Sequence, residues 1–269
     1  MRALLAAPLL WLLSAPLWAD ARSAVLVDVL GLAEIAQVLQ AEGLDYAQTL
    51  NDDMMNGQGG PGWQVQVDAI YDPARMVETL RSHLDDALQG EIREEVIAFF
   101  AEDPGATIIK LENEARAAIA DPEIEETARA RYTDLAGTDD PRLARIGKMI
   151  DSGDMMQRNI AAAMNSNFQF MRGMADGGLI TMSEDDMLAE VSAQYDEIAQ
   201  DTESWLYGYL LLAYSPLQDE TLDGYIAFAN TPAGQTLNRA LFDGFGAAYA
   251  EISYALGRAI ALNTAAEDL

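Results

Sequence analysis

Eight of the 12 methionines of this chain fall between positions 149 and 187, and thioether sulfurs are soft ligands that suit Cu(I). Met171 and Met174 lie three apart on one helical face, with Met164 two turns earlier. These three are the candidate metal ligands, and they make copper binding one expectation. The competing expectation is packing, because methionine also fills irregular cores and forms adaptable apolar grooves for a partner.

His83 is the one histidine and so the only imidazole for a Ser-His-Asp arrangement or a mixed metal site. It sits at the edge of the apolar stripe in "MVETLRSHLDDAL", where a boundary side chain is expected rather than a catalytic one. Carboxylates cluster at Asp85 and Asp86, at Glu123, Glu125 and Glu126, and at Glu184, Asp185 and Asp186. Two of them converging in a cleft could support acid–base hydrolysis. Nothing selects a pair, and a solvated helix face accounts for most such charge. The stretch nearest to a calcium loop, residues 52–57, has Met54 at a ligand position and Trp63 where the distal Glu belongs. A phosphate loop, a dinucleotide fingerprint and a nucleophile elbow are all missing from the sequence. No catalytic residue and no cofactor is therefore assigned.

Composition narrows the function classes further. The 269 residues carry 16 basic and 44 acidic side chains, a formal charge of −28. Phosphate backbones and anionic lipid surfaces would be repelled without a local basic patch, so nucleic acid is not an expected partner. The sequence has no cysteine, which removes disulfides, thiolate metal sites and thiol nucleophiles.

The N-terminus reads as a secretory signal over residues 1–19. Arg2 precedes an apolar core at residues 3–13, Pro16 breaks it, and the small Ala19 stands before Asp20, which fits cleavage after Ala19. Periplasm is the expected destination. No span is expected in the mature chain; the best rival, residues 205–214, is too short and contains Gly208.

The elements that must position these side chains are helices. Six prolines follow a capping residue, in Asp72-Pro73, Asp103-Pro104, Asp121-Pro122, Asp140-Pro141, Ser215-Pro216 and Thr231-Pro232. Each pair predicts a helix start, with the polar side chain as N-cap and Pro where the missing amide costs nothing. Apolar residues recur at three and four, as in Met76, Val77, Leu80, Leu84, Ala87 and Leu88, and in Met156, Ile160, Met164, Phe168 and Met171. Trp63, Val65 and Val67 alternate like a strand, but Ile70 continues a helical spacing, and the segment is read as helix.

A repeat underlies this punctuation. Residues 88–107, "LQGEIREEVIAFFAEDPGAT", and residues 217–236, "LQDETLDGYIAFANTPAGQT", align without a gap and share eight of 20 positions. The matches include Leu88 with Leu217, Glu91 with Glu220, Phe99 with Phe228 and Gly105 with Gly234. Glu91 and Glu220 fall in the first turn of their helices, where a carboxylate favours the positive end of the helix dipole. The expected fold is all-α, two tandem helical units of residues 20–135 and 136–269 packed as a helical bundle.

At this motif the sequence resembles a bacterial exported family, domain of unknown function 2059. In that pattern an acidic helix leads to a small apolar pair, a Phe and a Ser-Pro-x-Gly-like turn. "DETLDGYIAF" and the turn of Thr231, Pro232, Ala233 and Gly234 match it; in the first copy "FFAEDPG" replaces "FANTPAG". The resemblance implies a helical exported protein and carries no catalytic residues. The function expected is a non-enzymatic binding or interaction module of the cell envelope, taking an envelope protein or a small apolar ligand between the two units. Copper binding and carboxylate-based hydrolysis are the alternatives.

Overall fold

A computed structural model describes residues 15–267, and among them every regular element is a helix. In chain order these are α1 (Ala15–Val29), α2 (Leu32–Met55), α3 (Gly60–Ile70), α4 (Pro73–Ala87), α5 (Gly90–Phe100), α6 (Gly105–Ile119) and α7 (Pro122–Leu135). They are followed by α8 (Pro141–Ser152), α9 (Met155–Asp176), α10 (Glu184–Ala193), α11 (Tyr195–Tyr214), α12 (Asp219–Ala229) and α13 (Pro232–Glu267).

Four of the six proline pairs start helices. The Asp72, Asp121 and Asp140 carboxylates accept from the amides of Ala74, Glu123 and Leu143 at 2.9, 2.9 and 2.8 Å, and the Thr231 hydroxyl accepts from Gly234 at 3.1 Å. Ser215-Pro216 differs because Ser215 stays helical, at φ −50° and ψ −37°, as the last cap of α11, whereas an N-cap requires extended backbone. Pro104 likewise precedes α6, which opens at Gly105, and the Asp103 carboxylate takes the Thr107 hydroxyl at 2.6 Å instead. A start the proline rule missed is α10, where Ser183 and Asp186 form a reciprocal capping box. The segment carrying Trp63 and Val67 is helix α3, with both side chains buried.

The core forms three patches, and each draws on both halves of the chain. Leu39, Trp63 and Val67 pack with Ile252, Leu256 and Ile260 of α13. Leu80, Leu84, Leu88 and Val96 pack with Ala233 and Leu237 near the start of the same helix. Ile108 of α6 joins Ile146, Leu210, Tyr214 and Leu222. The 36-residue α13 therefore lies against α4, α3 and α2, while α6 and α7 lie against α11.

Glycines set the closest approaches. A Cβ on Gly173 of α9 would stand 2.2 Å from the Tyr254 carbonyl oxygen, and one on Gly257 of α13 would stand 2.1 Å from that of Phe170. The backbones of α9 and α13 thus touch where only hydrogen fits.

Residues 1–14 of the expected signal segment lie outside the described residues, and the helix of α1 runs on from Ala15 through the expected cleavage point. Among the described residues no single helix is long and apolar enough to cross a membrane. Residues Ala21–Val29 and helix α2 together meet that test as an apolar pair near the N-terminus, bent by 57°. Leu26, Leu32 and Ala36 of this pair, and Leu30 at the break between them, are buried in the protein's own core.

Candidate functional site

The helix that builds the site is α6. Its apolar stripe, Ile108, Leu111, Ala115 and Ile119, follows the helical period, and Glu112 and Arg116 interrupt that stripe at four and eight residues after Ile108. Both charged side chains consequently point where apolar ones would go. A carboxylate or guanidinium taken from water needs partners there, and other helices supply them.

Tyr214 of α11 donates its hydroxyl to Glu112 Oε1 at 2.6 Å, and Tyr209, one turn earlier, donates to the Glu112 carbonyl at 3.2 Å. Tyr225 of α12 bears on the same carboxyl. Burial pushes the Glu112 carboxyl above its usual range, and the hydroxyls of Tyr214 and Tyr225 pull the other way without cancelling it. The phenols of Tyr214 and Tyr225 are themselves held well above the ordinary tyrosine range, first by burial and then by the Glu112 charge. All three phenols are therefore neutral hydrogen-bond donors at any physiological pH.

Arg116, one turn along α6, pairs with Glu42 of α2 through Nη2 and lies 4.9 Å from the centre of the Trp205 ring. Trp205 in turn stacks on Tyr209 at 5.2 Å. The ion pair uses one oxygen and one nitrogen, leaving Glu42 Oε1 and Arg116 Nε buried without a partner among the described residues.

These groups open onto a cavity of about 360 Å³. Its walls are mainly aromatic and aliphatic, with Phe100, Phe228, Phe242, Phe245 and Tyr249 beside the tyrosines already named. At another part of the wall Asn238 donates to the Gly153 carbonyl at 2.7 Å and Asn159 to that of Met155 at 2.8 Å. A cavity of this size, apolar with a few convergent polar groups, has the make-up of a small-molecule site. A second cleft, beneath the exposed Arg75–Glu251 ion pair at 2.8 Å, is rimmed by α4 and α13 but has no comparable buried polar group in its wall.

The sequence candidates lie elsewhere. Met174 is buried at the crossing of α9 with α13, close to Gly257, while Met164 and Met171 are half-buried. The three are strung over about 15 Å of the helix axis. His83 is half-buried, with Nδ1 2.9 Å from the Thr79 carbonyl and its Cβ facing Gly244 of α13. Glu91 and Glu220 occupy the first turns of α5 and α12. Among the described residues no cluster of three His, Asp or Glu side chains could hold a metal ion. Sequence reading passed over Glu112, Arg116 and the three tyrosines. The available signal was the pair of charges set into the apolar stripe of α6.

Comparison with known proteins gives no relative: no family model, no curated protein and no solved structure matches this chain.

Proposed function

We propose that this chain is an exported, non-enzymatic binding protein of the bacterial envelope, and that the cavity beside Glu112 holds a small, largely apolar ligand. The cavity carries this reading. It is enclosed by helices from both ends of the chain, its walls are aromatic, and its polar groups are few and convergent. Among the described residues Glu112 is the one carboxyl in its wall, whereas hydrolysis with two carboxylates asks for two in one cleft. The neighbouring Glu42 is occupied by Arg116.

The cavity also suits an origin in two tandem units. With a register of 129 residues, α1 to α5 correspond in order to α8 to α12, and α6 with α7 to the long α13. The packing follows the same scheme: α2 meets α4 and α6 as α9 meets α11 and α13, and α1 meets α5 as α8 meets α12. Gly105 and Gly234 each crowd the carbonyl of the motif phenylalanine, Phe99 or Phe228, to 2.0 and 2.2 Å from an added Cβ. In this register Glu112 and Arg116 correspond to Leu241 and Phe245, which line the same cavity. One unit would thus supply the charged wall and the other its apolar counterpart. Export to the periplasm rests on the segment 1–19, and membership of the domain of unknown function 2059 family on the motif "DETLDGYIAF" with its Thr231-Pro232 turn.

Native mass spectrometry of the protein isolated from its own envelope tests the function. A chain starting at Asp20 and carrying a retained small molecule is expected, with the molecule lost in Gly246→Leu, whose new side chain enters the cavity from a position with open space around it. A ligand-free chain bound stoichiometrically to another protein or to copper would overturn the small-ligand reading.

A further inference from the structure

The charges around the cavity do not balance, and the imbalance selects a class of ligand. Two guanidiniums lie against its aromatic walls, Arg116 over Trp205 at 4.9 Å and Arg158 over Phe242 at 5.8 Å. Each is answered by a carboxylate, Arg116 by Glu42 and Arg158 by Asp243 at 3.9 Å. Buried without a partner among the described residues are one acceptor, Glu42 Oε1, and one nitrogen on each of these guanidiniums, Arg116 Nε and Arg158 Nε, of which Arg116 alone belongs to a residue of the cavity wall. Glu112 is different: among the described residues it makes no ion pair, and its polar neighbours are neutral phenols.

Burial alone holds the proton on Glu112, and a cation seated beside it favours the ionised form, whose carboxylate offers about four acceptor positions. Tyr214 takes one and Tyr225 bears on the same carboxyl, which leaves capacity toward the cavity. Asn159 and Asn238 each spend one amide hydrogen on the Met155 and Gly153 carbonyls and keep a second hydrogen and a carbonyl oxygen, so they can meet either a donor or an acceptor. Ser152 spends its hydroxyl proton on the Met149 carbonyl at 2.8 Å. A carboxyl without an ion pair, set among aromatic faces, attracts a donor-bearing cation, by hydrogen bonding and by the ring quadrupole. The chain's formal charge of −28 draws cations toward it from solution.

We infer that the cavity takes an organic ammonium ion, with its charged head at the Glu112 carboxyl and an apolar or aromatic body against Trp205, Tyr209 and Tyr249. This inference rests on the ligand-binding reading of the cavity and adds the chemical class of the ligand. Head-group chemistry can be varied on a constant body with phenethylammonium, phenethyl alcohol and 3-phenylpropionate, each titrated calorimetrically into the protein at neutral pH. Phenethylammonium is expected to bind at least tenfold more tightly than the alcohol, and the propionate more weakly than either. Glu112→Gln should erase the tenfold advantage of the cation while leaving the alcohol's affinity within threefold, which also shows that the variant is folded. Gly246→Leu should abolish binding of all three.

Equal or tighter binding of the alcohol or the propionate overturns the ammonium inference and leaves the ligand-binding cavity standing. So does a cation preference that survives Glu112→Gln. If none of the three probes binds, or if binding is indifferent to Gly246→Leu, the cavity reading itself falls.

Discussion

Phe99 of α5 and Phe228 of α12 stack face to face, their ring centres 3.9 Å apart and their planes within 10°. They occupy matching positions in the two motif copies, so each copy packs its phenylalanine on the other's. Phe100 stands edge-on to both rings, and Tyr225 lies nearly parallel to Phe99 with ring centres 6.0 Å apart. A double-mutant cycle with Phe99→Leu and Phe228→Leu is expected to give a coupling of about 0.5–1.5 kcal/mol in urea unfolding, the value of an aromatic pair beyond its buried area. Strictly additive losses would mean that the rings are neighbours without specific interaction.

The crossing of α9 and α13 depends on hydrogen where a methyl would collide with backbone. Gly173→Ala or Gly257→Ala should cost about 1–3 kcal/mol through forced separation of the helices. Gly246, on the same α13 but facing the cavity, has nothing within 4 Å of an added Cβ. Gly246→Ala should therefore stabilise by up to about 1 kcal/mol from helix propensity alone. Thermal melts of the three variants, ordered with Gly246→Ala highest, check the contrast.

Asp85 ties the N-terminal helix to the body. Its carboxylate accepts from Ser23 of α1 at 2.7 Å, from Arg81 at 3.1 Å and from Arg93 of α5 at 3.1 Å, and Arg93 also donates to the Leu88 carbonyl at 2.8 Å. The carboxylate is only partly buried, so its ion pairs count for less than in a dry core. Asp85→Ala should lower stability by about 2 kcal/mol, mainly through the polar partners it strands. Hydrogen exchange across residues 21–29 should accelerate more than across α11; uniform acceleration would show that Asp85 does not anchor α1 in particular.

Glu112 gives the stability curve a defined pH dependence. Its folded-state pKa is raised, so the folded protein holds this proton over a range in which the unfolded chain has released it. The associated stabilisation is complete below the unfolded carboxyl value and is lost as pH rises through the folded one. The charges facing it are those of Arg116 on its own helix and Glu42 on α2, with the phenols of Tyr209, Tyr214, Tyr225 and Tyr249 from α11, α12 and α13. Glu112→Gln cannot ionise. Relative to the parent, its unfolding free energy should therefore increase as pH rises from the ordinary carboxyl range through the raised folded-state value. A difference that does not vary with pH would show that Glu112 titrates alike in both states.

Helices and their ends were written locally. The stripe of Met76, Leu80 and Leu84 is buried as its spacing required, and Asp72, Asp121, Asp140 and Thr231 cap helices because an oxygen beside free amides needs no distant help. Local rules failed at Ser215, where packing of α11 holds the residue in helical backbone and its capping potential goes unused. The density of methionine in α9 was visible, but which thioether is buried was not: Met174 is covered because Gly173 and Gly257 bring two backbones together there.

By itself, then, the sequence determined an all-helical chain, the helix starts at Asp72, Asp121, Asp140 and Thr231, the apolar stripes and the paired motifs, since each depends on residues within a few turns of one another. Only the tertiary structure decided the cavity. Tyr214 lies 102 residues beyond Glu112 in the chain, and Glu42 lies 74 residues before Arg116. Whether a charge inside an apolar stripe is a defect or part of a site depends on which side chains arrive opposite it. That is fixed by the packing of α11, α12 and α2 against α6, an arrangement no local periodicity specifies.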